Sequence, residues 1–254
     1  MSQSQPEVKL LTSGPIFKQL ITLTMPIMAT NFIQMAYTLT DMAWVGRLGS
    51  EEVAAVGAIG ILLWLTTSFA LLTKMAAEIS IAQSVGAKRL DDARIYASHA
   101  VTISFLLGIF ITVILRPSSG TIVSFYHLET HIAGMAEHYL NIVCFSLPMV
   151  YLANTFAGVY NGIGRTTIPF YIIASGLIFN MILDPLFIFG LGNWEGMGVT
   201  GAAIATVISQ ILVALLFVLK MKRKNGILNR FPFFIRLNKK YTKRIFQLGT
   251  PIAA

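Results

Sequence analysis

A chain of 254 residues that is 55% hydrophobic and only 12% charged, with a mean hydropathy of +0.71, has too little polar side chain to coat a soluble domain and reads as a membrane protein. Its net charge of +8 would suit nucleic acid in a soluble protein, but here the basic residues lie between apolar runs, where membrane topology accounts for them and no nucleic-acid partner is expected. The single cysteine, Cys144, excludes an internal disulfide, and without a second thiol or a His cluster beside it no metal centre is expected there.

Residues 1–14 are polar and the apolar run after them is too long for the core of a cleaved leader, so the first helix is expected to act as its own insertion signal. Six runs reach the roughly 20 apolar residues that cross the hydrocarbon core. They lie near Ile16–Val45, Val53–Val85, Ala93–Leu115, Ala133–Gly158, Thr166–Gly190 and Gly198–Met221. The fold class is therefore all-α, a six-transmembrane-helix bundle over residues 1–221. A basic linker over 222–241 follows, and a seventh apolar segment opens near Thr242 and stops at Ala254.

Most of the 19 Lys and Arg fall on one side of these spans: Lys9 and Lys18 at the start, Lys88, Arg89 and Arg94 after the second span, Arg165 after the fourth, and the stretch Lys220–Arg244 after the sixth. The other side has Arg47 and Arg116. The bias predicts a cytoplasmic N-terminus and a cytoplasmic linker. Within that linker, Phe231-Pro232-Phe233-Phe234-Ile235 between Arg230 and Arg236 reads as a segment lying along an anionic membrane surface.

Leu23-Thr24-Met25-Pro26-Ile27 near the start is echoed by Leu248-Gly249-Thr250-Pro251-Ile252 near the end. If this marks a repeat, a second six-span unit begins after the linker, in parallel with the first because six is even. The 254 residues would then be half of a longer transporter.

Ionisable groups inside spans are costly and point to function. Asn180 and Asp184 are four apart in the fifth span, so on a helix they share a face. The competing reading is that Asp184-Pro185 starts a helix, Asp as the cap and Pro at the first position. Asp41 lies toward the outer end of the first span, at the depth expected for Asp184 and for Thr206 in the sixth, so the three can meet; alternatively Asp41 is an exposed helix-end residue beside the interfacial Trp44 and Arg47. Two carboxylates close together in low dielectric cannot both stay ionised without a compensating proton or cation. Asn180 and Thr206 would add neutral oxygens suited to a hard cation such as Na+. Tyr37, Asn154 and Met181 are candidates to line a substrate cavity. Pro26 bends the first helix, as a static kink or as a hinge. Lys74 and Glu78, also four apart, read either as a self-neutralising pair or as a second polar relay.

Several segments together resemble one family. Pro26-Ile27-Met28, Thr40-Asp41-Met42-Ala43-Trp44-Val45-Gly46-Arg47, Ala82-Gln83-Ser84-Val85-Gly86, Gly158 with Gly162-Ile163-Gly164-Arg165, Asn180 with Asp184-Pro185-Leu186, and Gly198-Val199-Thr200-Gly201 are similar, in this order, to the N-terminal half of multidrug and toxic compound extrusion (MATE) transporters. The resemblance implies a twelve-span exporter of two six-helix lobes around a V-shaped cavity in the cell's inner membrane. It implies expulsion of organic cations and other drugs in exchange for Na+ or H+, with no organic cofactor. It also implies a cation site at Asp41, Asn180 and Asp184, with Thr206 joining them and Pro26 bending the first helix. The segment Lys74-Met75-Ala76-Ala77-Glu78 departs from the small residues usual in that helix.

Two alternatives remain. A lipid-linked oligosaccharide flippase of the same superfamily would want a strongly cationic cavity, and here only Lys74 is cationic within a span. An intramembrane aspartyl protease would want Tyr-Asp and Gly-x-Gly-Asp, where this chain has Thr40-Asp41, Leu183-Asp184 and Gly190-Leu191-Gly192-Asn193.

Overall fold

Hydrocarbon offers the backbone no hydrogen bonds, so each apolar run must close its own, and the helix is the open-chain solution. The computed structural model describes residues 15–192, 194–222 and 231–253. In chain order the elements are α1 (Ile16–Gly46), α2 (Ser50–Gly86), α3 (Leu90–Leu115), the short α4 (Ser119–Ser124), α5 (Thr130–Val143), α6 (Leu147–Gly162), α7 (Thr167–Phe189), α8 (Gly198–Lys222) and α9 (Lys239–Ala253). A two-residue antiparallel ribbon, Gly190–Leu191 against Trp194–Glu195, closes the turn between α7 and α8. Among the described residues six helices are long and apolar enough to span, with α5 and α6 together making the fourth.

That fourth span is not the single helix the apolar run predicts. A 3-10 turn, Cys144–Ser146, divides it. Pro148 is the cause: it lacks an N–H and sits in the first turn of α6, so the Cys144 carbonyl loses its helical donor. The Leu147 N–H donates to it instead, in the 3-10 pattern, and the Thr112 hydroxyl of α3 lies 2.9 Å from the same oxygen and 2.8 Å from the Gly108 carbonyl of its own helix. The opposite outcome holds at Pro185. It lies inside α7, which runs unbroken through Asp184, so the helix-start reading of Asp184-Pro185 does not hold. Pro26 likewise sits within a continuous α1.

The interior has two apolar layers. Ala76, Ile81, Ala97, Val101, Phe156 and Phe217 fill the one nearer the basic end of the bundle, while Val45, Ile59, Leu140, Ile188 and Ala203 fill the other. Small residues let the helices close up. A Cβ on Gly158 would overlap the Lys74 carbonyl and one on Gly162 would lie 2.8 Å from the Glu78 oxygen, so α6 packs backbone to backbone on α2.

The linker's aromatic run divides between the bundle interior and its surface. Residues 223–230, with Arg223, Lys224 and Arg230, lie outside the described residues, as do Lys9 and Ala254; α8 extends through Lys222 and α9 already begins at Lys239. Between them Phe231 is buried, and Phe233 packs edge-on to Phe156 and Phe231 with ring centroids 5.5 and 5.4 Å apart. Two α3 side chains take up the segment's backbone. The Thr102 hydroxyl lies 3.2 Å from the Phe233 carbonyl and accepts the Ile235 N–H at 3.2 Å. Nε2 of the buried His99 accepts the Asn238 N–H at 3.0 Å, which leaves its proton on Nδ1, 2.8 Å from the Ile95 carbonyl. Phe231 and Phe233 turn inward, where burying their rings and pairing the backbone is favourable, while Phe234 stays 57% exposed, as a surface-lying segment requires. α9 then packs along α2, with Gly249 against the Leu72 carbonyl.

Candidate cation-binding site

α1 packs against α7, and Asp41 and Asp184 each sit about one and a half turns from the end of their helix, which brings them level. Their carboxyl groups face each other within hydrogen-bonding reach. Asp184 is fully buried and Asn180, one turn away on the same face of α7, is 1% exposed with its amide beside the Asp184 carboxyl. Asp41 is half-buried. Its helix-end reading does not hold, because the end is capped one turn further on, where Trp44 packs on Phe189 and Arg47 lies over the Trp44 ring at 5.3 Å.

The groups face one another without completing a bond. Both oxygens of Asp184, Oδ1 of Asp41 and both amide atoms of Asn180 are enclosed and have no aligned hydrogen-bond partner. Buried polar atoms are nearly always satisfied, and two ionised carboxylates have no donor to offer each other. The arrangement is satisfied if a proton or a small cation lies between them. The Tyr37 hydroxyl, one turn before Asp41, faces that of Thr206 on α8, at the margin of the same cluster. Every atom positioned to ligate is oxygen or amide, a donor set suited to a hard cation and not to a soft one. Among the described residues no three His, Cys, Asp or Glu side chains gather to hold a metal.

Sequence reasoning passed over Tyr139. It is buried on α5 and lies within electrostatic range of Asp41, Tyr37 and Asp184. Its neighbours Glu137 and His138 look interfacial, which hides it. The usable signal was its place among Ala136, Leu140 and Val143, the inward stripe of α5.

The remaining candidates sit apart from the carboxyl pair. Met181 is half-buried one residue beyond Asn180, and Pro185 has no N–H to return to its carbonyl. Asn154 on α6 donates to the Val150 carbonyl of its own helix at 3.0 Å. Pro26 is about four turns from Asp41 along α1, and its carbonyl accepts the Thr30 hydroxyl at 2.8 Å. Lys74 and Glu78 lie within electrostatic reach of each other without closing to ion-pair distance, and Glu78 also accepts the Asn161 amide at 3.2 Å.

Comparison with known proteins places this geometry. "Probable multidrug resistance protein YoeA" of Bacillus subtilis is 26% identical over 255 residues, covering 98% of this chain and 55% of that protein. "Multidrug export protein MepA" of Staphylococcus haemolyticus is 27% identical, covering 93% and 52%. A solved MOP superfamily transporter from Pyrococcus furiosus superposes over 99% of this chain and 55% of its own, with a TM-score of 0.88 and 25% identity. The chain thus spans about half the length of the relatives it matches. With the MatE family model matching residues 26–186, which include Asp41, Asn180 and Asp184, this multi-pass membrane chain belongs to the MatE family of transporters.

Proposed function

We propose that the chain works as the N-terminal lobe of a secondary active multidrug exporter of the inner membrane. Its basic end, at the start of α1 and the turn between α2 and α3, faces the cytoplasm. A second lobe completes the drug pathway, as in relatives about twice this length whose names describe multidrug export or resistance. The coupling ion, Na+ or H+, is taken between Asp41 and Asp184 with Asn180 beside them and Thr206 and Tyr37 at the margin. The observation that carries this reading is the cluster of enclosed carboxyl and amide atoms without partners where α1 meets α7.

Binding there does work only through differential affinity: the ion favours the arrangement in which the two carboxyls meet, and organic cation or drug favours the other. Pro26 lets the first part of α1 change direction without disturbing the Asp41 end. Ethidium efflux from vesicles of the full-length protein, driven by an imposed Na+ or proton gradient, tests the reading. Asp184→Asn should abolish the gradient-driven component; undiminished efflux would remove Asp184 from the coupling.

A further inference from the structure

The segment that joins α8 to α9 follows one row of α3. Phe234 packs on Phe105 with ring centroids 5.2 Å apart, and Thr102 meets the backbone of Phe233 and Ile235. His99 accepts the Asn238 N–H, and Tyr241 at the start of α9 lies 5.0 Å from the Tyr96 ring. Phe105, Thr102, His99 and Tyr96 succeed one another every three residues, so they form a single row that descends toward the charged start of the helix at Asp91, Asp92 and Arg94. From Phe105 to Tyr96 the row drops about 13 Å, close to the ~15 Å of hydrocarbon in one leaflet.

Along this row the segment sorts its side chains. Phe231 is buried and Phe233 and Ile235 are half-buried, while Phe234, Arg236 and Leu237 are exposed. Lys239 and Lys240 follow, also exposed, with the Lys240 ammonium 5.6 Å from the Tyr241 ring centroid and so held near the level of Tyr96. Among the described residues no carboxylate lies within ion-pair distance of Arg236, Lys239 or Lys240. Nor does α9 offset them: its first turn has no acidic residue, and the positive end of its dipole adds to the charge of the lysines. The exposed ring thus lies at the depth of an acyl chain, and the three cations without a counter-ion lie toward the headgroups.

We infer that this strip binds an anionic phospholipid of the leaflet that the basic end of the bundle meets, its phosphate among Arg236, Lys239 and Lys240 and one acyl chain along Phe234 and Leu237. A zwitterionic lipid brings a cation of its own beside the phosphate, so three basic side chains favour the lipid with net negative charge. His99 and Thr102 fix the backbone that carries them, which reduces the ordering cost of binding. The inference needs only the membrane and stands apart from the efflux reading.

Quenching by brominated lipid identifies the occupant. In full-length protein whose native tryptophans, Trp44, Trp64 and Trp194 among them, are replaced by Phe, Phe234→Trp puts a reporter on the strip. In mixed bilayers, brominated phosphatidylglycerol should compete for it about fivefold better than brominated phosphatidylcholine, the scale of one basic residue at an anionic surface. Arg236→Gln, Lys239→Gln and Lys240→Gln together should bring that ratio close to one. A ratio near one without them overturns the inference, and so does a preference that survives them. Inorganic phosphate exchanged for chloride at constant ionic strength should leave the ratio unchanged; loss of the preference would give the strip to a soluble anion and overturn the lipid. If the tryptophan variant does not fold, native mass spectrometry of the unaltered protein decides. Phosphatidylglycerol should stay bound at collision energies that strip phosphatidylcholine, and the triple variant should release both alike; equal release from the unaltered protein overturns the inference. Neither measurement involves ion-driven efflux, so failure here leaves the exporter reading untouched.

Discussion

The Asp41 carboxyl faces that of Asp184 across the contact between α1 and α7, and neither oxygen of Asp184 has an aligned hydrogen-bond partner. Two acids so placed convert ion occupancy into stability, because a ligand that binds only the folded site stabilises it by RT ln(1 + [L]/Kd). Purified protein should gain about 2.7 kcal/mol when the coupling ion is raised to ~100 times its dissociation constant. Thermal unfolding in detergent, followed against Na+ and separately against acid, identifies the ion. Asp184→Asn should flatten whichever response is seen.

The Thr112 hydroxyl joins the Leu147 N–H at the Cys144 carbonyl. Thr112→Val keeps the shape and removes the hydroxyl, leaving that carbonyl the Leu147 N–H alone. The cost should be about 0.5–1.5 kcal/mol in unfolding experiments, and Thr112→Ser should recover most of it.

Gly158 admits no side chain, since its Cβ would fall on the Lys74 carbonyl of α2. Gly158→Ala should force α6 away from α2 and lower stability by about 1–3 kcal/mol, and Gly158→Leu should prevent recovery of monodisperse protein in size-exclusion chromatography.

The segment between α8 and α9 is held by His99 and Thr102. His99→Phe preserves the ring packing against Tyr241, 5.0 Å between centroids, but removes the acceptor of the Asn238 N–H. Arg236 is exposed in the middle of this segment, so limited trypsin digestion reads the change directly. Cleavage after Arg236 should accelerate several-fold in His99→Phe, scaling with the population of the released segment, and again in Thr102→Val.

What the sequence disclosed follows from which signals are local. A carboxylate or amide in an apolar run stands out wherever it is, so Asp41, Asn180 and Asp184 were legible without coordinates, and their shared depth followed from counting residues along spans. Hydropathy also located all six spans. It could not register the break before α6, because Pro148 lies in an apolar stretch and the compensating hydroxyl belongs to another helix. Tyr139 escaped for a similar reason: a tyrosine near a helix end is ordinary at a membrane interface, and only the approach of α1 and α7 gives it company. In the run Phe231–Ile235 the exposed Phe234 fits a surface-lying segment, while the inward turn of Phe231 and Phe233 was hidden because the partners of the segment's backbone, His99 and Thr102, are remote in sequence. Lys74 and Glu78 were seen, but the bond from Asn161 to Glu78 depends on the close approach at Gly158 and Gly162, which no local signal in the sequence carries.

The hydrogen bonds that secure the stretch from Phe233 to Asn238 all land on one short portion of α3, which packs chiefly on α2 and α6. Traction on α9 is therefore delivered to α2 and α3, away from the pair of rods that carries the two acids. A pull on α9 thus reaches Asp41 and Asp184 second-hand, through the faces that α2 and α6 share with α1 and α7.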